Sequence, residues 1–206
     1  MKKFVLASLS ALILAAPAVA ANFSGPSIEA HAAWDRVQAK VSYAGDSTKG
    51  HDSGAAYGVG VGYDYRINWS VIGVLAAIDD SSVKECGTDG TQRGCATIGR
   101  DIEVGARFGA VMGTKALIYV KAAYADTRAG ISYSDSAAPA DNFSVHDHRG
   151  GIRVGTGVEY AIAPHAFVKV EYRYTDYKNI RIDVDGDTAR VGLSRHQLLG
   201  AIGYRF

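Results

Sequence analysis

Leu198-Leu199-Gly200-Ala201-Ile202-Gly203-Tyr204-Arg205-Phe206 closes the chain, and it alternates. Read with period two, Leu198, Ile202, Tyr204 and Phe206 share one face, with Gly200 between them. Ala201, Gly203 and Arg205 share the other. An apolar face ending in two aromatics suits lipid and its interface. A small and charged face suits a narrow polar lumen. The stretch therefore reads as a transmembrane β-strand, and the rest of the chain is tested for more of them.

The first twenty residues read as a secretory leader. Lys2 and Lys3 make a charged start, Phe4 to Ala16 an apolar core, and Ala18-Val19-Ala20 a small-residue cleavage site. The mature chain, 21–206, is then expected to be one β-barrel domain. The apolar run of the leader is shorter than the ~20 residues a spanning helix needs, and no later segment is apolar for ~18 residues. The formal net charge is +1, which points away from nucleic acid. Glycine (24) and tyrosine (12) are plentiful, as suits strands and interfacial belts better than helices. Export implies an oxidising compartment, so Cys86 and Cys95 are expected to form a disulfide. Free thiols or a redox pair are the other reading; the spacing is not CxxC, and no His lies near to complete a metal set.

Working backwards and then along the chain, about eight strands emerge, each near the ~9–11 residues that cross an outer membrane at a tilt. In the first, Ser27 to Asp35, Ile28, Ala30, Ala32 and Trp34 oppose Glu29, His31 and Asp35. The second, Ala55 to Tyr65, sets Tyr57, Val59, Val61, Tyr63 and Tyr65 against Gly58, Gly60, Gly62 and Asp64. The third is Val71 to Asp79. The fourth, Arg100 to Val111, carries Asp101, Glu103 and Arg107 inward. The fifth, Ala116 to Ala125, carries Tyr119 and Lys121; the sixth, Gly151 to Tyr160, Arg153 and Glu159; the seventh, Ala166 to Thr175, Lys169, Glu171 and Arg173. The eighth is the terminal stretch.

Connections alternate long and short. Arg66 to Trp69, Gly113-Thr114 and the segment around Pro164 are tight turns. Polar stretches at 45–54, 80–98, 126–149 and from Thr175 to about Thr188 read as loops. Outer-membrane barrels keep short turns on the periplasmic side and long loops outside, whereas a soluble sandwich has no reason to. An even strand count lets first and last pair and removes free edges.

With Gly157-Val158-Glu159-Tyr160, Glu171-Tyr172-Arg173-Tyr174-Thr175-Asp176 and Gly203-Tyr204-Arg205-Phe206 in view, the chain resembles the small outer-membrane β-barrel surface antigens. That group includes opacity-type proteins and OmpA-like barrels. The resemblance covers the whole mature chain. It implies an all-β, eight-stranded antiparallel transmembrane barrel in the outer membrane of a Gram-negative bacterium. It also implies that Leu198, Ile202, Tyr204 and Phe206 form the C-terminal signal read by the barrel-assembly machinery. Outer-membrane lipid, lipopolysaccharide and a surface ligand at the loops are the partners it implies. Unlike the two-domain OmpA kind, no peptidoglycan-gripping domain is expected after the last strand.

The inward face should hold Glu29, Asp64, Asp101, Glu103, Glu159 and Glu171 against Arg107, Lys121, Arg153, Lys169, Arg173 and Arg205. An eight-stranded barrel is only wide enough for its own side chains. Charges confined there must pair, because an unpaired buried charge is costly. A salt-bridged plug is expected, which disfavours a general porin. A narrow channel gated by exchange of ion-pair partners is the alternative.

Three motifs could carry other chemistry. His146-Asp147-His148 and Asp79-Asp80 should both reach the extracellular rim, where His beside carboxylate could activate water. This resembles the Asp/His dyads of omptin proteases, but order and spacing differ, and a polar loop foot is the plainer reading. Ser194 and His196 should face outward, as a lipid A deacylase would need, yet no carboxylate is identifiable beside them and the family's His-x-Ser order is reversed. Asp183-Val184-Asp185-Gly186-Asp187 lacks the late bidentate Glu of a calcium loop and reads as a hairpin turn at Asp185-Gly186. His31 should be a hydrogen-bonded lumen residue. The expectation is thus a non-enzymatic barrel with no cofactor and no metal, contributing to envelope structure and to adhesion through its loops. A gated channel and a surface hydrolase are the alternatives.

Overall fold

In the computed structural model, residues 23–43, 46–137, 142–184 and 187–206 are described. The expected leader, Met1 to Ala20, lies outside them, as do Ala138, Pro139, Ala140, Asp185 and Gly186. The described chain is strand throughout: β1 Gly25–Tyr43, β2 Asp46–Ile67, β3 Ser70–Ser81, β4 Lys84–Asp89, β5 Gln92–Met112, β6 Ala116–Asp135, β7 Phe143–Ala161, β8 Ala166–Val184 and β9 Asp187–Arg205.

Neighbours pair antiparallel in the order β3-β2-β1-β9-β8-β7-β6-β5-β4, and a further β3–β5 pairing closes the ring. Eight strands therefore form the barrel, and β4 stands outside the ring as an extra strand on the upper part of β5. First and last strands meet as expected, from Ser27↔Arg205 to Ser42↔Arg190. The terminal strand is tied on both sides: Arg205 N donates to His165 O (2.7 Å) and Phe206 N to Pro26 O (2.9 Å).

The strand bounds correct the sequence expectation. The polar stretches read as loops are mostly strand. β2 pairs with β1 up to Asp46↔Tyr43, and β6 pairs with β7 up to Tyr133↔Phe143. Each hairpin thus continues past the membrane as a ribbon. Hydropathy marks where lipid ends on the outward face. It does not mark where backbone pairing ends, because a ladder with both faces in water tolerates polar side chains on both. At 80–98 the ring strand β3 stops at Ser81 and β4 begins at Lys84, paired with β5 alone. Cys86 and Cys95 lie directly opposite in that pairing and are joined, with 4.1 Å between their Cα atoms.

The short connections fall where the sequence puts them. Asn68, with φ of 55°, turns β2 into β3, and Gly113, with φ of 65°, turns β5 into β6. Asn and Gly are the residues that tolerate this left-handed region.

Outside, the alternation makes a lipid surface. Ile28, Val59, Val61, Val74, Val104, Val120 and Val170 are 49–61% exposed, a contiguous apolar surface far larger than a water-soluble chain shows. Aromatics bound it. Trp34, Tyr57, Tyr124 and Tyr172 ring the upper edge, and Tyr63, Tyr65, Phe108, Tyr160, Tyr204 and Phe206 the lower. Tyr57 and Tyr65 lie on one strand, and a tilted strand rising ~3.3 Å per residue separates them by about 20 Å along the normal. That is the height of an outer-membrane apolar band with its girdles.

Candidate functional site: the charged lumen

The inward residues are ion-paired in layers. The lowest layer is a closed square. Arg107 Nε donates to Asp64 Oδ1 (2.8 Å) and its Nη1 lies 3.1 Å from Glu159. Arg205 binds the same two carboxylates, at 2.9 Å to Asp64 and 2.8 Å to Glu159. Phe23, Val71, Leu117 and Ala161 make an apolar stopper toward the periplasmic end, and the Tyr119 ring packs with them. The Arg205 guanidinium stands over the Phe23 and Phe167 rings, 5.7 and 5.2 Å from their centroids.

The middle layer centres on Glu171. Arg173 Nε donates to its Oε1 (2.5 Å), Lys121 Nζ lies 2.7 Å away, and Tyr119 Oη donates to Oε2. Lys121 also donates to Glu103, and Lys169 to both oxygens of Glu29 (2.5 and 2.6 Å). In the upper layer Arg153 reaches three partners: Asp101 (2.5 Å), Glu103 (2.6 Å) and Thr175 Oγ1 (2.8 Å). Arg195 bridges Asp101 (2.7 Å) and Asp35 (2.8 Å). His31 and Asp79 are hydrogen-bonded, and Arg173 Nη1 reaches Asp79 at 3.3 Å.

All twelve residues expected in the lumen face it, each within ion-pair distance of an opposite charge. Asp35, Asp79 and Arg195 join them and were not among the twelve. Their parity marks them, and Asp35 was read on the inward face, but all three sit at the upper ends of the expected strands, beyond the last outward apolar residues. With them, eight carboxylates lie against seven lysines and arginines and His31 among the described residues.

Room for these long side chains comes from β2, whose inward positions are Gly58, Gly60 and Gly62. A Cβ at Gly58 would meet the Ile78 carbonyl and Asp79, and would lie 2.8 Å from His31 Nε2. Gly58→Ala is therefore expected to cost about 1–3 kcal/mol of unfolding free energy, as overpacking does. Gly200→Ala, with nothing within 4 Å, should cost far less. Urea titration of the folded barrels in micelles separates the two. A void in the lumen, bounded by Glu29, Glu103, Lys121 and Arg173, is about 30 Å³, enough for a water molecule.

The catalytic motifs are dispersed. Asp79 lies in the lumen rather than at the rim, bonded to His31 and Arg173 and away from the exposed His148. His148 Nδ1 is 2.7 Å from Asp126, and Arg149 is 2.7 Å from Asp147. Ser194 and His196 do face outward. Here the fold corrects the sequence, for Asp176 stands directly opposite Ser194 on the same face. No hydrogen bond joins Ser194 to either residue among the described residues, and His196 Nδ1 is bonded to Tyr172 Oη at 2.7 Å. Among the described residues no cluster of three or more His, Cys, Asp or Glu could hold a metal. The Asp185-Gly186 turn lies outside the described residues.

Comparison with known proteins agrees with the barrel. Over 58 residues the chain is 38% identical to a 25 kDa outer-membrane immunogenic protein of Brucella canis, and the same identity holds for that of Brucella suis. These matches cover 28% of this chain, and the chain spans about a quarter (27%) of the length of those relatives. Neisserial surface protein A is similar in fold, with a TM-score of 0.52 at 20% identity over 89% of this chain and 98% of that one. So is the outer membrane protease OmpT of Escherichia coli, with a TM-score of 0.54 at 8% identity over 88% and 97%. The family described as outer membrane protein beta-barrel domain matches residues 4–206. An eight-stranded ring, two aromatic girdles and an ion-paired lumen accompany that match, and the chain belongs to the outer membrane protein β-barrel domain family.

Proposed function

We propose that this outer-membrane protein is non-enzymatic and acts as a surface-interaction protein. Its barrel is a closed anchor, and its extracellular hairpins meet adhesion targets. One observation carries the reading. The ring strands other than β3 run 19–22 residues where ~9–11 cross the membrane, so about half of each is ordered ribbon beyond the lipid. The lumen, by contrast, is occupied by its own ion-paired side chains. Rigid ribbons lower the ordering cost of binding that a flexible loop incurs. The disulfide holds one of them, β4 with the start of β5, and Thr88, Asp89 and Arg93 are exposed at its tip. The immunogenic name of the Brucella relatives supports display at the surface.

The barrel also contributes to envelope structure. Its terminal face of Leu198, Ile202, Tyr204 and Phe206 is the feature the barrel-assembly machinery would read.

The test is adherence of cells that carry the protein in the outer membrane to an epithelial monolayer. One variant has Gly87–Gly94 replaced by a two-residue turn; another carries Glu171→Gln in the lumen. The expected result is loss of adherence in the first and none in the second, with both barrels folded by heat-modifiable gel mobility. Equal adherence of the hairpin variant and the parent, with the parent no more adherent than cells lacking the protein, would overturn the reading.

A further inference from the structure

We propose that the outer wall of the barrel carries a binding site for the phosphate head group of an acylated lipid of the outer leaflet, built by Arg36, Gln38 and His196 above Trp34, Tyr172 and Leu198. The site is a groove of about 250 Å³ on the lipid-facing surface where β1 meets β9. The strand register builds it. Trp34 lies opposite Leu198, Arg36 opposite His196, and Gln38 opposite Ser194.

The lower half is apolar and stands at the level of the upper aromatic girdle, where head groups begin. The upper half offers donors. Arg36 Nε is buried with no hydrogen-bond partner, and no carboxylate lies within ion-pair distance of Arg36 among the described residues. His196 is held in place by its hydrogen bond to Tyr172 and by the Tyr174 ring, 4.9 Å between centroids. Its Nδ1 is thus engaged and its Nε2 is left for a ligand. Lys40 and His51, both exposed, add positive charge just above.

Two other cations near the rim are already paired. His148 is paired with Asp126, and Arg149 with Asp147. The Arg36 sector has Asp176 further round the wall, opposite Ser194. An amphipathic groove with an unpaired guanidinium at head-group depth fits a phosphate on an acyl chain. Arg binds such a group through paired N–H donors. Basic clusters at a membrane surface recognise charged head groups by the same chemistry.

The chain has two tryptophans, so Trp69→Phe leaves Trp34, inside the groove, as a sole reporter. The mature protein is folded in phosphatidylcholine nanodiscs, and Trp34 emission is followed against four probes: diphosphoryl lipid A, its dephosphorylated counterpart, phosphatidylglycerol and inorganic phosphate. Expected is a saturable shift with diphosphoryl lipid A alone. Its midpoint should weaken about tenfold in Arg36→Gln, as loss of a charge-assisted hydrogen bond does. It should be unchanged in Lys115→Gln at the far end of the barrel. Arg36 is on the outer wall above the lipid band, so that variant should fold; gel mobility checks it. An equal midpoint with the dephosphorylated lipid, an equal response to inorganic phosphate or phosphatidylglycerol, or no change in Arg36→Gln would overturn the assignment.

Discussion

Arg153→Ala should unfold with about 3–5 kcal/mol less free energy than the parent, the range for breaking a buried ion pair from one side. Arg153 is fully buried and donates to Asp101, Glu103 and Thr175 at once. Truncation strands two carboxylates in a lumen that water enters little. Arg195 still holds Asp101, and Lys121 still holds Glu103, so the loss falls short of two full charges. Arg153→Lys restores the charge but not the fork that serves three acceptors, and should recover only part of the deficit. Denaturant unfolding in micelles reads all three proteins. A cost below about 1 kcal/mol, the range of an exposed pair, would mean that the lumen is wet and the network loose.

Val61→Arg should cost about 2–4 kcal/mol in a bilayer, the penalty for a cation on the lipid face at the midplane. Val61 is 57% exposed and lies midway between Tyr57 and Tyr65 of the two girdles. Ser53→Arg, on the same strand but above the upper girdle, should cost ~0–1 kcal/mol, the range near the interface. The contrast is the test. On a water-exposed sheet the two substitutions would be equally mild. Unfolding of the two variants from lipid vesicles, compared with the parent, decides it.

Most of the barrel was legible because period two says which side a residue faces. The twelve lumen charges, Gly58 to Gly62 and the closing face of Leu198 to Phe206 all follow from that alternation. What was hidden lies above the lipid. Asp79 has inward parity after Ile78, but it was expected to be the last residue of its strand, at the extracellular rim. The ladder runs on to Ser81↔Ala56. Asp35 and Arg195 lie just past Trp34 and Leu198 in the same way. In water both faces of a ribbon are free to be polar without penalty, so hydropathy carries no trace of it. The cysteines announced a bond, but not that it would join opposed residues of ring strand β5 and a strand outside the ring. Asp176 escaped notice beside Ser194 for another reason. The contact is across strands, and only the register shows it.

The central claim is that the lumen is shut by its own ion pairs. Single-channel recording of the refolded mature protein in a planar bilayer, across pH and voltage, tests it most directly. A silent bilayer with inserted protein is the predicted result, because the lumen charges are paired with one another and an apolar cluster at Phe23 covers the periplasmic end. Reproducible small steps whose size changes in Glu171→Arg or Arg173→Glu would contradict it and move the function into the lumen.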